Sequence, residues 1–132
     1  MIDMLAAALC LAAGGFHLAV PADGFSLSWR HSIEKIEWRE TYRIVGDRLL
    51  IADAAIQGSG AGMDPPEGAR LEHGAWHYRP AQPWRDSLTL SRSEYAGDYT
   101  LCIGSRCAPL ETWMAGAPAD VPAEVTACRA QG

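Results

Sequence analysis

The chain has 132 residues and a formal net charge of -5; 48% of it is hydrophobic, 20% is charged, and it carries 13 Gly and 8 Pro. This length holds a single hydrophobic core, and the apolar share, with five tryptophans, excludes wholesale disorder. The acidic balance argues against nucleic-acid binding, which needs clustered Lys and Arg, and no phosphate-binding loop, HExxH, GxSxG or CxxC pattern is present.

From the N-terminus, residues 4–20 read MLAAALCLAAGGFHLAV, with only Cys10 and His17 ionisable. As a helix this run would rise about 26 Å, at the lower edge of a bilayer span. It also fits the apolar centre of a signal peptide, with Val20-Pro21-Ala22 as a small-residue cleavage site. Asp3 stands where a positive flank is usual, and bulky Leu9 before Cys10 argues against lipidation. With no polar face to meet water, the segment is a poor surface helix of a globular domain. Residues 1–22 are therefore read as a signal peptide or membrane-anchor helix.

Residues 23–112 are read as the folded domain. Phe25, Leu27 and Trp29 alternate with Ser26, Ser28 and Arg30, the period of a half-buried strand. Ile36 to Val45 alternates again, with Glu40 as the odd member of a face otherwise made by Ile36, Trp38, Tyr42 and Ile44. A Gly46-Asp47 turn leads to a third strand from Leu49 to Ile56. After a Gly- and Pro-rich loop, a short hairpin turns at His73-Gly74, and Leu88 to Leu90 and Asp98 to Leu110 supply the last strands. About seven short strands with regular turn signals describe an all-β fold, a small sandwich or partly open barrel, preceded by the apolar N-terminal helix. Residues 113–132, rich in Ala, Gly and Pro, are read as a mobile tail.

Cys102 and Cys107 flank Ile103-Gly104-Ser105-Arg106 in a segment that reads as a hairpin with a four-residue loop. Cysteines facing each other across it can meet disulfide geometry, which suits an oxidising compartment. Two free thiols, or half of a metal site, are the alternatives; structural zinc normally takes four ligands. Cys128 has no evident partner.

The segments SWRHSIEKIEWRETYRI, GSGAGMDPP, WHYRP and DYTLCIGSRCAPL together resemble the domain-of-unknown-function family 1850 of bacteria and archaea, over nearly all of Phe25 to Leu110. The resemblance carries no biochemical activity. It implies a setting, because such proteins are often encoded beside the membrane subunit of TAXI-type TRAP transporters, which import small carboxylates using an extracytoplasmic solute-binding protein and an ion gradient.

Polar chemistry concentrates at two places. Arg30, His31, Ser32, Glu34 and Lys35 follow the first strand of the domain; His31 can bind a metal, titrate near neutral pH or donate a hydrogen bond. His31 and Ser32 would point to opposite faces of a strand, which weakens a nucleophile–base pairing. Gly58, Gly60 and Gly62, followed by Met63-Asp64-Pro65-Pro66, form a loop that could offer amide N–H groups to an anion, although the spacing fits no nucleotide motif. His31, Met63, His73 and His77 together sketch a copper site, and Met63 equally fills a core gap. Trp38 and Arg30 have the character of interface anchors.

The expectation is a non-enzymatic, periplasmic or membrane-tethered accessory protein that needs no cofactor. It would contact a TRAP membrane subunit or solute-binding protein through Arg30–Lys35, Trp38 and the Gly58–Pro66 loop. The alternative is a stand-alone periplasmic protein that binds a ligand, copper or zinc.

Overall fold

The computed structural model describes residues 5–30, 36–57, 67–92 and 99–131. The chain runs β1 (Leu5–Ala13), β2 (Phe16–Pro21), β3 (Gly24–Arg30), β4 (Glu37–Val45), β5 (Arg48–Gln57), β6 (Arg70–Glu72), β7 (Ala75–Tyr78), β8 (Trp84–Arg85), β9 (Leu88–Leu90), β10 (Thr100–Ile103), β11 (Arg106–Pro109), a one-turn helix α1 (Leu110–Trp113) and β12 (Ala123–Gln131). The described residues are mostly β-strand, with almost no helix. Two antiparallel sheets form, ordered β2-β1-β12-β9 and β11-β10-β3-β4-β5-β7-β6, with β8 also paired to β5; neither closes on itself. That is more strands than the seven the sequence suggests, because several are two to four residues long.

The expected N-terminal helix is absent among the described residues. Residues 5–21 form a hairpin about Gly14-Gly15, with Ala13 registered on Phe16. Two glycines between apolar runs favour such a two-residue turn, and Gly14 takes a positive φ of 59°. A side chain there would also press on Pro118, whose Cγ would lie 3.0 Å from an added Cβ. Alternation explains the missing polar face. Leu9, Leu11 and Ala13 enter the core while Ala8, Cys10 and Ala12 face the other way. Alanine prefers helix intrinsically, but pairing on both sides overrides so weak a preference. No helix among the described residues is long and apolar enough to cross a membrane.

The expected mobile tail is likewise corrected. Its second half is β12, registered antiparallel on β1 from Leu5↔Gln131 to Ala12↔Glu124 and on β9 through Ala123↔Leu90. Ala123 and Val125 are buried. Cys128, without a partner in the sequence reading, is joined to Cys10 across 118 residues of chain, with Cα atoms 5.9 Å apart.

The two sheets share one core. Leu9 and Leu11 of β1 and Val125 of β12 join Leu27, Tyr42, Leu49, Ile51 and Leu101 of the larger sheet, with β1 lying against β4 and β12 against β5. At the start of β3, Gly24 is required by close approach, because a Cβ would lie 2.6 Å from the Tyr42 carbonyl oxygen. The expected Cys102–Cys107 disulfide is present, on a two-residue turn tighter than the four-residue loop expected, since Ile103 and Arg106 are themselves paired. Beside it, the Trp113 Nε1 donates to the Leu101 carbonyl at 3.0 Å, and the Arg106 guanidinium lies 4.3 Å over the Trp113 ring.

Arg92 ties the connection before β12 in place. Its side chain is 4% exposed. It donates to both Glu111 carboxylate oxygens at 2.9 and 3.0 Å and to the Pro118 and Val121 carbonyls at 2.8 and 3.0 Å. A guanidinium fork suits such multidentate binding, because its donors are fixed in one plane.

Loop entropy distinguishes the two disulfides. Replacing Cys10 and Cys128 by Ser removes a crosslink whose closed loop is worth roughly 4–5 kcal/mol in the chain-entropy description. The Cys102→Ser/Cys107→Ser pair releases a much shorter loop. Urea unfolding of both variants should show the larger loss for the Cys10/Cys128 pair. Equal losses would contradict the Cys10–Cys128 crosslink.

Candidate functional site

The eight-stranded sheet presents two faces, and polar chemistry occurs on both. On the inner face, cross-strand register lines up Leu101, Leu27, Glu40, Ala54 and Tyr78 in one row and Trp29, Trp38, Ile56 and Trp76 in the next. The first row carries a single carboxylate. Glu40 is half-buried and accepts a hydrogen bond from the Tyr42 hydroxyl at 2.7 Å. Tyr42 in turn stacks on Phe25, with ring centroids 4.9 Å apart and planes inclined 9°.

Around this carboxylate the aromatic side chains cluster. Trp29 and Trp38 stack at 6.4 Å and 13°, and Tyr99 tilts against Trp29 at 5.6 Å and 56°. The Trp38 Nε1 is buried with no hydrogen-bond partner among the described residues, an uncommon state for an indole donor. Burial raises the Tyr42 hydroxyl far above the ordinary phenol value, and its hydrogen bond to Glu40 and the Glu40 charge add to the effect. Burial, then the Glu40 charge, also raise Tyr78 and Tyr99. One negative charge thus acts on three phenols that all stay protonated.

Of the contact residues singled out in the sequence, Arg30 and Trp38 are described. Arg30 is exposed at the end of β3, registered on Glu37, one pair beyond Trp29↔Trp38. His31, Ser32, Glu34, Lys35, Gly58, Gly60, Gly62 and Met63 lie outside the described residues. The strand ends that lead into those two segments are neighbours. Trp38 pairs with Ile56, and the Glu37 amide donates to Gln57 Oε1 at 3.1 Å.

The outer face holds a feature the sequence reading missed. A β-bulge between Thr41 and Tyr42 leaves Ala52 without a register partner and sets Asp53 opposite Thr41. From there the Asp53 carboxylate reaches His77 Nδ1 on β7 at 2.8 Å. The pair lines an open groove of about 760 Å³ together with Glu67, Arg70, Glu72 and Arg79. A second groove of about 420 Å³ continues past His77 toward Glu37, Arg39 and His73. Period-two alternation cannot foresee a bulge, so no signal in the sequence marked Asp53. His73 and His77 do share a groove, but no three His, Cys, Asp or Glu side chains among the described residues are placed to hold a metal ion. The other two members of the copper constellation, His31 and Met63, lie outside the described residues.

The family model for a domain of unknown function (DUF1850) matches residues 25–110, and the chain belongs to that family. Neither a curated protein nor a solved structure matches the chain.

The shielded phenols give a pH signature. A phenol ionises at about pH 10 in the unfolded chain, and Tyr42 is raised above that value in the fold. The stability held in its protonated form is therefore complete below about pH 10 and is lost as pH rises beyond it. Unfolding free energy of the native sequence should fall steeply above about pH 10, and Tyr42→Phe should lessen that slope while Tyr78 and Tyr99 keep part of it. Parallel profiles for the two proteins would contradict the placement of Tyr42.

Proposed function

We propose that this member of the DUF1850 family is an extracytoplasmic, non-catalytic binding domain with a β-sandwich arrangement, and that it docks on a TAXI-type TRAP transporter in the periplasm. The observation that carries the reading is the aromatic end of the larger sheet. Trp29 and Trp38 stack there, with the Trp38 Nε1 buried and without a partner among the described residues, and exposed Arg30 one register step away. Trp and Arg are the side chains that most often anchor interfaces. A rigid sheet also holds them with little entropy to lose on binding.

The two disulfides support the compartment in this reading, because disulfides persist where thiols are not kept reduced. Since residues 5–21 are strands of the core sheet, membrane association in this reading comes through the transporter rather than through an N-terminal helix.

A second reading, stand-alone binding of a small polar ligand, draws on the outer groove. Its volume of about 760 Å³ is in the usual range for small-molecule sites, and its lining mixes Arg79 and Arg70 with the Asp53–His77 pair.

Purification from native membranes in mild detergent, followed by mass spectrometry, separates the two readings. Docking requires stoichiometric recovery of a TRAP membrane subunit or its solute-binding protein, falling at least about tenfold in Arg30→Glu and in Trp38→Ala. Recovery of the protein alone contradicts docking, and calorimetric screening of small carboxylates against Asp53→Asn then tests the groove.

A further inference from the structure

We propose that β2 is a dimerisation edge: two copies of this chain join antiparallel, β2 against β2, about a two-fold axis at Leu18, merging their four-stranded sheets into one. Five strands have an unpaired side among the described residues, and four of them are protected. β8 is two residues long. β6 is three residues long and carries Arg70 and Glu72. β9 is also three residues long. β11 begins at Arg106, ends at Pro109 and is tethered through Cys107. Shortness, charge and proline are the devices by which edges avoid pairing. β2 is six residues long, FHLAVP, with no Asp, Glu, Lys or Arg and proline only at its end.

Its free hydrogen-bonding groups follow from register. Ala13↔Phe16 closes the two-residue turn, so the amides of Phe16, Leu18 and Val20 face β1. The next even residue agrees, since the Ala22 amide donates to the Ala7 carbonyl at 3.0 Å. The amides and carbonyls of His17 and Ala19, with the Pro21 carbonyl, therefore face outward. On the other side β1 is held by β12 and by the Cys10–Cys128 disulfide, so the edge is presented by an anchored strand.

This edge is complementary to itself. With the axis at Leu18, His17 of one copy forms a hydrogen-bonded pair with Ala19 of the other, and Ala19 with His17. On the inner face Leu18 meets Leu18 of the second copy, and Phe16 meets its Val20. All three are only partly buried in the single chain, so pairing removes further apolar surface from water. No carboxylate is brought opposite another, which matters for a chain of net charge -5. Isologous, two-fold contact is the usual form of a homodimer, and addition of a strand to a free edge is a common mode of recognition.

Sedimentation velocity on the intact, oxidised protein tests the proposal. The expected result is a reversible monomer–dimer equilibrium between micromolar and near-millimolar concentration. Ala19→Pro deletes an outward amide, and His17→Asp/Ala19→Asp sets carboxylates opposite each other twice across the axis. Each should weaken the dimer by about tenfold or more, and Leu71→Asp on the β6 edge should leave it unchanged. If Ala19→Pro fails to fold, the double variant decides, because both its positions are exposed. A protein that stays monomeric throughout, or a dimer that both β2 variants leave intact, overturns the proposal.

Discussion

The pairing of β1 with β12 is the constraint on which the rest of the structure depends. It joins the two ends of the chain, registered from Leu5↔Gln131 to Ala12↔Glu124, and carries Leu9, Leu11 and Val125 over the inner face of the larger sheet. Without it Leu27, Tyr42, Leu49 and Ile51 would face water, a loss no local interaction could offset at about 25 cal/mol per Å² of apolar surface. The contact is also the least local in the molecule, so closing it costs the most chain entropy. The Cys10–Cys128 disulfide and the Arg92 clamp on Glu111, Pro118 and Val121 both bear on this step: one crosslinks the strands, the other fixes the approach to β12.

That arrangement divides the inner face of the larger sheet into two chemical halves. One half is apolar and lies under the smaller sheet. Toward the end of β3 and the start of β4, Glu40 brings a carboxylate among Tyr42, Tyr78 and Tyr99, beside the Trp29–Trp38 stack. A half-buried carboxylate is expensive unless it is hydrogen-bonded, and the Tyr42 hydroxyl meets that need. The aromatic end therefore combines a stable core edge with large amphipathic side chains. The outer face is separate chemistry, set by the bulge that aims Asp53 at His77.

Much of the domain between Phe25 and Leu110 is legible in the sequence because its strands alternate clearly. Phe25, Leu27 and Trp29 face inward as the period-two pattern requires, and Cys102 and Cys107 do pair. The two ends of the chain are not legible in the same way. In β1 and β12 alanine occupies both faces, so the contrast between inside and outside fades and composition alone points to helix or tail. The Gly14-Gly15 turn and the Leu9/Leu11 and Val125/Ala127 spacings were the available signals. The partner of Cys128 depended on recognising both strands first. Within the candidate site, Trp38 and the odd position of Glu40 stand out in the sequence. Asp53 does not, because a bulge resets the alternation.

The placement of residues 5–21 within the folded domain is tested most directly by non-reducing peptide mapping of the natively produced protein, with mass spectrometry of the linked fragments. A fragment containing Cys10 disulfide-bonded to one containing Cys128 is the result expected from the β1–β12 register. A mature protein cleaved after Ala22, or Cys128 found free or joined elsewhere, would contradict it.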